Sequence, residues 1–477
     1  MADPAGPTRL RKPAAASPEL VQGISRWPSG ALVVGSMIGS GIFIVPADMM
    51  RQVGSPGLVL VAWAVAGVVL VAGGLTYAEL GGMFPRAGGL YVYLREGISP
   101  LVAFLYGWTL FAVIWTGGIA ASAVGVARFA GVLFPSLTAE VFWGATIPLP
   151  TGDLTVGLSP QRLAAVGSIA AITWINLRGV ATAALVQTIF TAVKVAAVAV
   201  IVVLGLTIGR NPEAFAANFS TGFWPDQPAA ALLPAFGLAL IGPLFTMDGW
   251  YALCFAASEL KNGQRTLPFA LIVGTVFTAA LFVLINLAYF SVLPGAAVAG
   301  AEQDRVAPAV MTAMFGPLGG QVMAAAIMIS AFGLNLGIVL GGARVFYAMA
   351  KDGVFFRAAA TVNPTTGVPA NALIFQALWI FVLCLSGSYG QLVDYVTAAS
   401  LLFALLIPIA LFVLRRRRPD QPRSAPVPGY PWVPLFYTAA SAWVLVAMVW
   451  QRPSYTWPGL LFVALGVPVY YLRRRQP

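Results

Sequence analysis

Long hydrophobic runs, each near the roughly 20 residues a helix needs to cross a bilayer, recur along this chain from about residue 30 to residue 472. They fall near 30–48, 57–83, 101–133, 162–177, 180–208, 231–257, 267–292, 310–349, 370–386, 391–414, 432–450 and 456–472. In hydrocarbon every backbone N–H and C=O needs a partner within the protein, and a helix supplies it inside one segment. The pattern therefore predicts an all-α integral membrane protein with twelve spans. Of 477 residues, 59% are hydrophobic and 9% charged, against about 25% charged in soluble chains. A water-soluble enzyme, a disordered scaffold and a nucleic-acid binder are excluded.

The net charge of +11 reflects topology. With the N-terminus in the cytoplasm, the inner side carries Arg9, Arg11, Lys12, Arg26, Arg86, Arg95, Arg178, Lys261, Arg265, Arg344, Lys351, Arg357, Arg415 to Arg418, Arg423 and Arg473 to Arg475. These are 20 of the 27 basic residues. Arg51, Arg128, Arg162, Arg210, Arg305 and Arg452 lie toward the outside, and Lys194 lies within a span. The bias predicts both termini inside. Residues 1–25 read as a disordered cytoplasmic tail without the apolar core of a signal peptide. Cys254 and Cys384 both fall inside spans, and there is no histidine. A disulfide framework, a cysteine zinc site and a histidine relay are thereby excluded, so any proton coupling must use Lys, Asp, Glu or Tyr. No cofactor is implied.

Two spans are poor continuous helices. The first contains Gly35-Ser36-Met37-Ile38-Gly39-Ser40-Gly41, where three glycines and two serines weaken the helix. The sixth contains Gly242-Pro243-Leu244-Phe245-Thr246-Met247-Asp248-Gly249-Trp250, with an acid at mid-membrane that is costly unless paired or facing water. Close packing through small residues is the alternative at the first site, and a structural buried acid is the alternative at Asp248. Taken together, two breaks five spans apart predict a five-plus-five inverted repeat, with residues 26–210 and 211–414 as its halves. A basic loop (415–431), two further spans (432–472) and a short C-terminus (473–477) follow. Freed amides at one break and freed carbonyls at the other would suit the two charges of an amino acid.

Gly39 to Phe43, Gly54-Ser55-Pro56-Gly57, Tyr77-Ala78-Glu79-Leu80-Gly81 and Pro85 to Tyr93 resemble the amino acid–polyamine–organocation (APC) superfamily. Phe245 to Trp250, Glu259 to Asn262, Arg265 to Pro268 and Ala343 to Gly353 resemble its L-type amino acid transporter (LAT) branch. The resemblance, over roughly residues 25–415, implies a LeuT-like fold. It implies that Ser40 and Gly41 bind the substrate carboxylate, with Gly39 permitting the opening. Met37, Ile38, Phe245, Thr246 and Asp248 line the site, with backbone carbonyls receiving the α-amino group and Phe245 closing as a gate. Lys194 would stand where sodium-coupled relatives bind their ion, touching carbonyls around Gly35 to Ile38 and the segment near Ser330. Its stem is too short to reach either interface from mid-span.

Ser330 and Asn335 either line the site or bridge helices, and Trp115 and Thr116 are candidates to face the substrate side chain. Glu79 and Asp394 read as structural or solvated, and the arginine clusters 415–418 and 473–475 as anchors beside anionic lipid. Animal LAT members that pair with a heavy subunit carry a cysteine between spans three and four. The loop 134–161 has none, which predicts a self-sufficient monomer in a bacterial inner membrane, with no disulfide-linked partner. The expected activity is sodium-independent exchange of neutral, then cationic, L-amino acids. Proton-coupled uptake with Lys194 titrating and an amino acid-sensing receptor are the alternatives. A membrane enzyme would need a cluster of catalytic polar groups at one depth, and the sequence offers none.

Overall fold

Serine followed by proline starts three of the long helices. The serine hydroxyl caps a free amide and proline occupies a first-turn position that needs no N–H donor. Ser55 accepts from Leu58 N at 3.2 Å, Ser99 from Val102 N at 3.3 Å and Ser159 from Arg162 N at 3.1 Å. A computed structural model describes residues 24–84, 89–148, 154–351, 353, 355–363 and 365–474. The tail up to residue 23, Arg86 with its neighbours 85–88, Asp352 and residues 475–477 lie outside the described residues.

The helices are α1 (Arg26–Met37), α2 (Val45–Val53), α3 (Pro56–Met83), α4 (Gly89–Gly97), α5 (Pro100–Leu133), α6 (Pro160–Leu177), α7 (Val180–Leu206), α8 (Ala229–Ala239), α9 (Ile241–Thr246), α10 (Gly263–Val292), α11 (Val306–Lys351), α12 (Ala370–Ser386), α13 (Tyr389–Arg417), α14 (Trp432–Gln451) and α15 (Pro453–Arg474). Among the described residues, seven helical stretches are long and apolar enough to cross a membrane. They are Pro56–Met83, Pro100–Leu133, Ala231–Phe255, Gly263–Val292, Val306–Lys351, Tyr389–Arg417 and Trp432–Gln451. Shorter apolar helices cover Val193–Leu206, Ala370–Ser386 and Thr456–Leu472.

Three local features depart from the expected pattern. The loop 134–161 holds a short antiparallel hairpin, β1 (Trp143–Ile147) with β2 (Leu154–Leu158), Trp143 opposite Leu158. The run 310–349 is not one straight rod. α11 bends at Gly316 (φ 71°), a left-handed backbone that glycine tolerates, followed by Pro317, which cannot continue the ladder. Within α5, residues Leu110–Ile114 wind as a π-helix.

Packing separates two groups. α1, α3, α10 and the segment after α9 pack on one another; α5, α6, α11 and α12 form a second set. α7 touches both groups, and α13 packs on α5, α14 and α15.

Charges join these layers at their ends. Glu79 of α3 is fully buried, and Arg415 grips it with two bonds of 2.8 and 2.6 Å. Val427 N donates to the same carboxylate at 2.6 Å, and Arg423 lies 3.5 Å away. Arg415 also sits 3.7 Å over the Tyr430 ring. The basic loop is thus strapped onto α3, and Arg415 is a protein-paired cation where a lipid anchor was expected. Arg418 likewise meets Glu96 at 2.6 Å. Asp394 is buried against Arg452, at 3.2 Å.

Two outcomes follow from these ion pairs. Glu79→Gln leaves Arg415 without its charge partner, which costs about 3–5 kcal/mol where a buried pair is broken. Its melting temperature in detergent should fall well below wild type, and an unchanged value would show the strap to be dispensable. The hydrogen bond from Arg418 holds the Glu96 carboxyl below its ordinary range. A group lowered in the folded state stabilises at pH above its unfolded value, and that share is lost as pH falls through the folded value. Acid titration of melting temperature should therefore be shallower for Glu96→Gln than for wild type.

Candidate substrate site at two interrupted helices

α1 stops at Met37 because Ile38 turns to an extended backbone (φ −82°, ψ 96°), and the chain re-enters helix only through a single 3-10 turn, Gly41–Phe43. The amides of Gly39, Ser40 and Gly41 donate to no group among the described residues. The Gly35 carbonyl, which an unbroken helix would bond to residue 39, instead accepts from Lys194 Nζ at 3.0 Å. Lys194 is 2% exposed. No hydrogen bond joins it to Ser330 among the described residues, although α7 packs along α11. Its ammonium is therefore held by a helix break and not by a carboxylate.

The second interruption is milder than the opened turn expected at 242–250. α9 ends at Thr246, Met247 leaves helical geometry (φ −95°, ψ 5°), and the chain continues as a tighter 3-10 helix from Asp248 to Glu259. Residue 247 thus marks a change of helix type, and the carbonyls around it are re-aimed.

The two interruptions lie against each other, antiparallel. A side chain built on Gly41 would run into Thr246, one on Gly242 into Val45 and one on Gly249 into the Ser36 carbonyl. The Ser36 hydroxyl is 2.9 Å from the Gly249 carbonyl. Three glycines on two segments therefore set how closely the backbones approach. Met37 and Ile38 are buried beside this crossing.

Neighbouring helices frame it. Leu334 of α11 abuts Gly39; the next residue, Asn335, is buried, and its side-chain amide has no partner among the described residues. Ser330 is also buried on α11. Ser40 and Tyr389 both crowd Gly125 of α5. Phe245, the expected gate, stands edge-on to Tyr389 at 6.3 Å. Arg128 lies 5.3 Å from the Tyr389 ring centre and 3.1 Å from Asp304, which reaches Arg51 of α2 at 2.8 Å. Arg452 bridges Asp48 of α2 and Asp394 of α13, at 3.2 Å to each. The half-helix α2 is thus clamped twice by charge.

Trp115 and Thr116 follow the π-helical turn of α5. Trp115 packs edge-on to Phe255, 5.6 Å away. The Thr116 hydroxyl is taken by the Phe111 carbonyl at 2.5 Å, an acceptor exposed by the π-helical turn. The Asp248 carboxyl lines a cavity of about 40 Å³ with Tyr77, Tyr106, Phe245, Ser400 and Tyr437. That cavity lies among α3, α5, α13 and α14, on a different side of the sixth segment from α1. The expected chamber between the two breaks is not where this space falls. Tyr389, Tyr106, Tyr251 and Tyr437 were not among the expected site residues, and Tyr77 entered only as part of a family motif. Their one signal was a phenol within an otherwise apolar run.

This arrangement defines a multi-pass membrane protein with a polar centre built from interrupted helices. The chain belongs to the amino acid permease family of the APC superfamily, whose family model matches residues 24–470. It is 30% identical to the serine/threonine exchanger SteT of Bacillus subtilis (strain 168), over 93% of this chain and 95% of that one. It is 29% identical to the b(0,+)-type amino acid transporter 1 of Mus musculus, over 92% and 85%. It is 30% identical to the large neutral amino acids transporter small subunit 2 of Homo sapiens, over 92% and 78%.

Gly249→Ala should abolish amino acid binding, because even one methyl group meets the Ser36 backbone; wild-type affinity by thermal shift would contradict the crossing. Lys194→Ala leaves the Gly35 carbonyl unpaired, an omission worth about 1–3 kcal/mol. Transport should drop tenfold or more while surface expression persists.

Proposed function

We propose that this protein is a twelve-span amino acid transporter with a five-plus-five inverted repeat, working by alternating access as a sodium-independent exchanger. The observation that carries the reading is Lys194 Nζ seated on the freed Gly35 carbonyl. A covalently tethered cation at the first break fills the role that a bound metal ion would otherwise serve. The two packing groups support the repeat, since each combines helices from both halves of the chain. The match to a relative named as a serine/threonine exchanger supports exchange.

In this reading the amides of Ser40 and Gly41 receive the substrate carboxylate, and carbonyls of Met37 and of Phe245, Thr246 and Asp248 receive the α-amino group. Phe245 with Tyr389 closes the outer path, and the Asp48–Arg452–Asp394 and Arg51–Asp304–Arg128 contacts hold α2 in place. Neutral L-amino acids are the favoured substrates, with cationic ones next. Both termini lie in the cytoplasm of a bacterial cell, and the protein works without a disulfide-linked heavy subunit.

Counterflow in proteoliposomes tests this. Internal L-serine should accelerate uptake of labelled L-serine, with no change when a pH gradient is collapsed or sodium is replaced by choline. Uptake that follows the pH gradient and ignores internal substrate would replace exchange with proton symport through Lys194. Binding without counterflow would point to a receptor. In a thermal-shift panel of amino acids, glutamate as the strongest stabiliser would overturn the substrate assignment.

A further inference from the structure

Among the described side chains, the acids within or at the ends of the apolar helices carry basic partners, with one exception. Glu79 holds Arg415, Asp394 holds Arg452 and Asp48 holds Arg452 and Arg51. Asp248 has no lysine or arginine within ion-pair distance among the described residues. Its carboxyl accepts from the Tyr251 phenol at 3.2 Å. The charged lysine of the neighbouring break is committed to Gly35.

The space beside Asp248 is as incomplete as its charge. Thr397 of α13 and Ser441 of α14 are 3% and 1% exposed, both line the cavity, and neither hydroxyl has a partner among the described residues. Buried hydroxyls left without partners cost free energy, and native interiors fill such sites with water. At about 40 Å³ the cavity has room for about three waters. The titratable groups facing Asp248 are phenols: Tyr77 from α3, Tyr106 from α5, Tyr437 from α14 and Tyr251 from its own segment. From α13 come the hydroxyls of Thr397 and Ser400. None of these supplies a positive charge.

A carboxylate at this depth requires a counter-charge, and a proton carried on water held by these hydroxyls supplies one. We propose that Asp248 is a proton-exchanging carboxyl served by a small water cluster, and that its protonation governs movement of the sixth helical segment. The carboxylate takes a proton from a cluster water and returns it to one, so no bond but the O–H is made or broken. When Asp248 carries the same proton in both halves of the cycle, exchange moves no net proton. Its position makes the coupling mechanical. Asp248 is the first residue beyond Met247, where helix type changes, and it precedes Gly249, which touches Ser36. A charge gained or lost there acts on the joint between the two interruptions. This inference rests on the neutral-substrate reading above.

Infrared difference spectroscopy of the full-length protein in lipid nanodiscs, stepped in pH without substrate, tests the site directly. A protonated-carboxyl C=O band that titrates and shifts in D₂O should vanish in Asp248→Asn and move in Tyr251→Phe. A band that persists in Asp248→Asn overturns the proposal, as does one that changes when sodium replaces choline, which would mark a metal-ion site. A band abolished by L-arginine would give Asp248 to the substrate side chain and also overturn it. If Asp248→Asn fails to fold, Tyr251→Phe decides the matter: an unmoved band rejects the assignment. The linked readout is counterflow of labelled L-serine at equal pH on both sides. Wild-type rate should vary with pH and Asp248→Asn should flatten the profile; matching profiles reject the coupling. Absence of counterflow with the band intact would instead remove the exchanger reading and leave the proton site standing.

Discussion

Every backbone amide and carbonyl in a bilayer needs a partner, and this structure is organised by the few places where the helix does not provide one. Leaving helical geometry at Ile38 strips the Gly35 carbonyl and the amides of residues 39 to 41 of their usual contacts. Such an opening is tolerated only against protein or a cavity. Lys194, Thr246 and Leu334 converge on it. The long helices around the opening form the wall that lets a polar centre exist in hydrocarbon.

Charge pairing follows the same economy. Acid–base contacts stand where the helices end, between α3 and the basic loop and between α2 and its neighbours. Ion pairs at such ends tie separate helices together, because the charged groups are costly to bury singly. At the centre, charge is held differently: Lys194 by a carbonyl, Asp248 by a phenol and a small cavity. Groups held by dipoles and hydroxyls are easier to rearrange than ion pairs, which suits the alternating-access cycle proposed above.

Much of this was legible in the residues themselves. Glycines at 35, 39 and 41 announced the first opening because no other residue leaves a helix so readily, and the lone Lys194 announced that something polar had to meet it. Asp248 announced a polar neighbourhood. The form of the second interruption was not legible. Pro243 and Gly249 suggested an unwound turn, whereas the backbone tightens into a 3-10 helix after Met247, with Gly249 against Ser36. Thr116 was a candidate to face the substrate side chain, and the sequence did not show where its hydroxyl bonds. A π-helical turn, invisible in composition, supplies its partner from within α5.

By itself, the sequence determined the helical class, the membrane setting, the two weak helices and the identity of the central cation, since each depends on local composition and periodicity. Only the tertiary structure decided which carbonyl Lys194 reaches, that Gly41 and Gly249 press against Thr246 and Ser36, and that Asp248 turns toward the tyrosines of α3, α5 and α14. Those pairings join residues up to hundreds of positions apart. They are set by which helices lie side by side, a property no single segment carries.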